Sequence, residues 1–200
     1  MTRVPCQIQE IRVPSQIREI RVPSRSERSA LIISGVGVED HRQGQPASVR
    51  CFVLTISDSR TEETDTSGNA ITEMLESAGH EVVGRRIVRD DPPSVRGAVK
   101  GQVTNAEVII TSGGTGITTR DGTYEAISAL LDKQLDGFGE IFRMLSYHEI
   151  GPAAMMSRAC AGTLGRTAVF SLPGAEAAVR LAMSKLIIPE IGHVVRELRR

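Results

Sequence analysis

The near-continuous apolar run Cys51-Phe52-Val53-Leu54-Thr55-Ile56 constrains this chain more than any other feature. It has the length of a strand, and a strand apolar at successive positions needs a core on both of its faces. The residues that follow supply those layers. Ile71, Met74, Leu75 and Ala78 fall at i, i+3, i+4 and i+7, the stripe of an amphipathic helix, and Gly79 is placed to end it. Val82–Val88 predicts a second strand. Pro92-Pro93 opens a helix through Val95, Ala98, Val99 and Gln102, and Val108–Thr111 predicts a third strand. Helices are predicted over Tyr124–Leu131 and Gly139–Ile150, a fourth strand over Ala168–Leu172, and two closing helices over Ala175–Leu186 and Pro189–Leu198. Strands alternating with helices predict an α/β fold, a three-layer α/β/α sandwich around a mainly parallel sheet.

Organised sequence begins near Arg50. Ahead of it, Arg-Val-Pro recurs from Arg3, Arg12 and Arg21, and the nonamers QIQEIRVPS and QIREIRVPS start at Gln7 and Gln16. A period of nine matches no stacking repeat. Each unit offers few apolar groups and a proline that interrupts helix and ladder alike. Residues 1–47 are therefore expected to form a low-complexity, disordered extension, and residues 48–200 one folded domain.

Composition narrows the function classes. Basic and acidic residues balance at 24 each, so no large positive field is available for duplex nucleic acid. Aromatic residues are 3%, too few for a platform that stacks single-stranded bases. No apolar run approaches the ~18 residues of a membrane span, and the first thirty residues hold no signal-peptide core. Cys6, Cys51 and Cys160 are widely spaced, which fits a reducing cytoplasm rather than a disulfide framework, and Cys51 and Cys160 read as small buried side chains. The four histidines lie at no metal-site spacing, so no zinc site is expected.

In an open parallel sheet, ligands bind outside the carboxyl ends of the strands. Four segments fall there: Ser57-Asp58-Ser59-Arg60, Asp90-Asp91, Ser112 to Asp121, and Ser171-Leu172-Pro173-Gly174. The third is a loop with Gly113, Gly114, Thr115 and Gly116. Glycines let backbone N–H groups approach a phosphate closely, and the carboxylates are suited to Mg²⁺. The loop has neither the lysine of a P-loop nor the G-x-G-x-x-G spacing of a dinucleotide site. Residue chemistry alone therefore points to a nucleotide or phosphate ligand of unspecified class. Taken singly, Asp90 and Asp121 are each better read as helix N-caps.

Several motifs in order resemble the molybdopterin adenylyltransferase family of MogA and MoaB proteins. SGGTG followed by Arg120-Asp121 matches its signature loop. ISDSR at Ile56–Arg60, DGFGEIFRMLS at Asp136–Ser146, MSRACAG at Met156–Gly162 and SLPG at Ser171–Gly174 follow the family's order. The stretch FGEIFRMLSYHEIG is closer to the MoaB branch. The likeness spans Arg50 to the C-terminus, while Gly122-Thr123-Tyr124 departs from the apolar residue and Thr-Pro that often follow Arg-Asp.

The resemblance implies transfer of AMP from Mg-ATP to the terminal phosphate of molybdopterin, with release of pyrophosphate. It implies Asp90 and Asp121 as the catalytic aspartates, acting on Mg²⁺ carried by the nucleotide. It implies Gly113, Gly114, Thr115 and Gly116 at a phosphate or the pterin arm, with Ser57, Asp58, Ser112, Glu140, Ser157, Ser171, Pro173 and Gly174 as further substrate contacts. It also implies a homotrimer or homohexamer and a molybdate-inserting MoeA-type partner. A non-catalytic molybdopterin-binding paralogue, and a competence-protein-like domain acting on another nucleotide, are the competing readings.

Overall fold

In the computed structural model, which describes residues 44–118 and 121–200, the opening apolar run becomes strand β1 (Arg50–Ile56), with every residue from Cys51 onward buried. The helix α1 (Thr66–Ser77) follows, then β2 (Glu81–Val88), α2 (Pro92–Lys100), β3 (Val108–Ser112) and α3 (Thr123–Ser128). A two-residue strand β4 (Lys133–Gln134) leads into α4 (Asp136–Ile150) and a 3₁₀ turn over Gly151–Met156. Strands β5 (Cys160–Leu164) and β6 (Thr167–Leu172) complete the sheet. Helix α5 (Glu176–Ala182) runs through a wide π turn at Met183–Ile187 into α6 (Ile188–Arg199). The wide turn makes room for Pro189 near the start of α6, so the two predicted closing helices join. The expected extension lies, up to residue 43, outside the described residues.

The sheet order is β2-β1-β3-β6-β5-β4. β1 pairs in parallel with β2 and β3, and β3 with β6, which carries the expected α/β frame. The far side is different. β5 runs antiparallel to β6 and β4 antiparallel to β5, making the sheet mixed. Neither β4 nor β5 was foreseen. Cys160-Ala161-Gly162-Thr163-Leu164 has small residues and a central glycine, and little strand propensity. Gly165, at φ 59°, makes the turn that pairs it with β6.

Pleating sends alternate side chains into two cores. Val53, Ile110, Phe170 and Leu172 pack under α1, α4, α5 and α6. Leu54, Ile109 and Val169 pack under α2 and α3. Leu54 is fully buried, so Leu54→Ala would cost about 2–5 kcal/mol. Gly79 ends α1 as expected, at φ 84°, where the His80 N–H reaches back to Leu75.

Candidate active site

The parallel strands β1, β3 and β6 end together, and the loop after β3 crosses above them. Gly113 (φ 105°) lies against the Ile56 carbonyl and hydrogen-bonds Leu172, so it joins the ends of all three strands. A side chain there would strike backbone, which explains the glycine. Gly174 packs against Gly113, bringing the turn after β6 onto the loop.

The loop is the wall between two clefts. The inner cleft, about 390 Å³, lies on the α4 side. Gly113, Gly114, Thr115, Gly116, Ser157, Pro173 and Gly174 line it together with Phe142, Ser146, Ile150 and Met156. Seven of the sequence-predicted residues therefore converge here, on a largely apolar floor. The outer cleft, about 440 Å³, lies on the side of α2 and α3, with Arg96, Thr118, Asp121, Glu125 and Arg158 on its walls.

Asp90 and Asp121 stand directly behind this wall. A side chain at Gly114 would run into Asp90 and Thr123, and one at Gly116 into Asp121. Neither aspartate caps a helix. Asp91 caps α2 by accepting from the Ser94 N–H at 2.9 Å, and α3 starts at Gly122 with no side-chain cap. Asp121 Oδ2 instead accepts from the Thr118 N–H (2.9 Å) and hydroxyl (2.8 Å). Asp90 Oδ1 accepts from the buried Thr123 hydroxyl at 3.0 Å. Desolvation pushes the Asp90 carboxyl above its ordinary range. The Thr123 bond opposes this, and the negative charges of Asp121, Asp58 and Asp91 add to it.

The donor set suits a divalent cation such as Mg²⁺. The second oxygens of Asp90 and Asp121 accept no hydrogen bond among the described residues, and a cation would relieve the crowded charge. No three His, Cys, Asp or Glu side chains converge on a metal position among the described residues. A divalent ion here would complete its shell with phosphate and water, the habit of Mg²⁺.

The remaining predicted residues are placed elsewhere. The Ser57 hydroxyl accepts from the Ser59 and Arg60 N–H groups, folding its own loop. Asp58 is exposed, faces Arg89 at 3.7 Å and accepts weakly from the Asp90 N–H. Ser112 is fully buried and meets the Ser67 hydroxyl at 3.1 Å on the α1 face. Ser171 is buried on the opposite face, beside Cys160 in β5. Glu140 is exposed on α4 and lines neither cleft.

Three contributors escaped the sequence reading. Arg158 donates to the Thr115 carbonyl (3.1 Å), the Gly116 carbonyl, the Asp121 carbonyl (3.1 Å) and the Glu125 carboxylate, and lies 5.1 Å from the centre of the Tyr124 ring. Its only signal was its place beside Ser157 in MSRACAG. Thr123 holds Asp90. Ser146 is a polar residue on the buried stripe of α4 with Gly139 and Phe142, and that spacing could have marked it.

Behind Ser112 lies a polar network centred on Asp65. Asp65 caps α1 through the Gly68 N–H (2.9 Å), accepts from Thr55 (2.5 Å) and Ser67 (3.0 Å), and pairs with Arg85 at 2.6 Å. Its side chain is 0% exposed. Burial alone would raise its carboxyl, but the bonds from Thr55, Gly68, Arg85 and Ser67 prevail and hold it below the usual range.

Residues 52–193 match the family described as "Probable molybdopterin binding domain". The chain is 55% identical over 168 residues to "Molybdenum cofactor biosynthesis protein B" of Bacillus cereus, covering 82% of this chain and 99% of that protein. A crystal structure of a molybdenum cofactor biosynthesis protein B superposes with a TM-score of 0.76 at 57% identity, over 78% of this chain and 98% of the other. The tungsten cofactor synthesizing protein MoaB from Pyrococcus furiosus gives 0.71 at 40% identity, over 78% and 99%.

Proposed function

Because the chain belongs to the family of the probable molybdopterin binding domain and takes part in molybdenum cofactor biosynthesis, we propose that its site transfers AMP from Mg-ATP to molybdopterin. The observation that carries this reading is the glycine loop standing as one wall between two clefts, with Asp90 and Asp121 backed against it. The pterin occupies the inner cleft, where Phe142, Ile150, Met156 and Pro173 give it an apolar bed and Ser146 and Ser157 offer hydroxyls. The nucleotide phosphates lie along the loop toward the aspartates. An oxygen of the molybdopterin phosphate attacks the α-phosphorus of ATP, the bond to the β-phosphate oxygen breaks, and pyrophosphate leaves.

Such a transfer asks for alignment and charge neutralisation rather than covalent catalysis. The loop holds the two phosphates in line, and Asp90 and Asp121 are the residues that would hold a charge-neutralising ion. Mg²⁺, when bound, draws charge from the phosphate oxygens as a Lewis acid. Thr123 and Thr118 fix the two carboxylates in place by hydrogen bonds.

The chain also self-associates in this reading. Ile141, Met144 and Tyr147 on α4 and Met155 after it are exposed and lie outside the inner cleft, an apolar surface that a second copy would cover. No helix among the described residues is long and apolar enough to cross a membrane.

The test is mass-spectrometric detection of adenylated molybdopterin after mixing the purified protein, Mg-ATP and molybdopterin. Adduct and pyrophosphate in equal amounts are expected. Molybdopterin binding with no adduct would replace the enzyme by a non-catalytic pterin-binding paralogue.

A further inference from the structure

We infer that Arg158 is the positioning residue of the glycine loop, turning its peptide groups so that their N–H donors face a phosphate. This rests on the reading that the loop holds phosphate, and it adds the residue that makes the loop able to do so.

Four of the five guanidinium N–H groups are engaged with protein acceptors. Three of those acceptors are loop carbonyls, Thr115 and Gly116 on one limb and Asp121 on the other. The fork therefore ties both limbs of the loop together. A trans peptide points its C=O and N–H in opposite directions. With the Thr115 and Gly116 carbonyls drawn to Arg158, the N–H groups of Gly116 and Ile117 are turned away from it.

Arg158 lines the outer cleft and is absent from the inner one, which Gly113–Gly116 line from the other side of the loop. The N–H groups of Gly114, Thr115, Gly116 and Ile117 have no acceptor among the described residues. Four successive unbonded amides, two of them with their carbonyls held from behind by Arg158, make an anion-binding concavity. Arg158 thus serves the anion without touching it. Tyr124 and Glu125, both on α3, hold the guanidinium itself in plane.

Lysine cannot replace this fork, since its single ammonium is a point charge with no planar spread. Charge and geometry are therefore separable. The probe is Mg-pyrophosphate, titrated by calorimetry into the full chain and into Arg158→Lys and Arg158→Ala, with hydrogen exchange followed over residues 114–118. Both variants should bind at least ~10-fold more weakly, from the loss of charge-assisted bonds. Exchange should quicken in the loop while the strands stay protected. Millimolar methylguanidinium should restore part of the affinity of Arg158→Ala and none of that of Arg158→Lys.

Wild-type affinity in Arg158→Lys would overturn the inference, because charge alone would then suffice. Should both variants unfold, Glu125→Gln carries the test. Loss of one exposed partner should weaken binding by about 1.5- to 5-fold, and unchanged affinity would overturn the clasp. A wild-type protein with no affinity for the probe would instead sink the phosphate reading itself, and loop exchange in Arg158→Lys would still decide whether the clasp holds the loop.

Discussion

Asp65 and Asp90 both sit near the carboxyl ends of the parallel strands, and their surroundings are opposite. Asp65 is fully enclosed, paired with Arg85 and supplied with donors on both oxygens. Asp90 has one hydroxyl donor and faces three like charges. The first arrangement lowers its carboxyl and the second raises it. Folding stabilises one charge and tolerates the other. A charge cluster left uncompensated beside a cleft marks where a cation or ligand is expected, whereas a buried carboxylate with donors on both oxygens marks a joint in the frame.

The largest effect should come from Asp65→Asn. It strands Arg85 beside a neutral amide, and breaking a buried pair typically costs about 3–5 kcal/mol. Chemical denaturation at pH 7 measures it. Since the folded carboxyl lies below its unfolded value of about 3.9, the stabilisation is present above that pH and is lost as pH falls through the folded value. The deficit of the variant should therefore shrink in acid. A deficit independent of pH would mean that packing, not charge, is at stake.

Asp121→Asn should lower AMP transfer by at least ~100-fold, since the metal's stabilisation is worth several kcal/mol and each ~1.4 kcal/mol is tenfold. Its hydrogen bonds from Thr118 can persist on the amide oxygen, so the fold and molybdopterin affinity should stay unchanged. Near wild-type turnover would reduce Asp121 to a loop staple.

Asp90→Asn should stabilise the protein while lowering activity. With the folded carboxyl raised, the native state disfavours the charge, so wild-type stability is relatively lower above the folded value than below the unfolded one. Melting at pH 7 should rise by about 1–3 °C in the variant, and the gain should vanish as pH falls below the unfolded value. A melting point lowered at pH 7 would show that Asp90 belongs to the frame after all.

The smallest effect is expected for Thr123→Val, which keeps shape but removes the donor to Asp90. A loss of one hydrogen bond, about 1 kcal/mol, corresponds to roughly fivefold in transfer rate. The pH profile should move upward, because Asp90 then loses the bond that favours its charged form. An unmoved profile would mean that Asp90 does not titrate in the working range.

Much of this was legible in the sequence. The apolar runs of β1, β3 and β6 encode buried strands, because burial on both faces leaves no polar position to alternate. The loop glycines announced close backbone approach, and Gly113 and Gly114, at positive φ, show why. Asp90 and Asp121 stood out as candidates by their joint placement in segments after strand ends and by the family resemblance.

The tertiary structure decided the rest. Ser112 and Ser171 both end strands, yet pleat parity and register send one hydroxyl toward Ser67 and the other to the opposite face. Strand β5 exists because β6 offers its edge, since CAGTL has little propensity of its own. The capping role fell to Asp91, one residue from Asp90, where the chain turns into α2. Arg158 is an ordinary arginine until the fold brings it beneath a loop more than forty residues away. Local pattern fixes what depends on neighbours within a turn or a pleat. The partner of a buried polar group depends on which elements pack across the sheet, and that is settled only when the layers close.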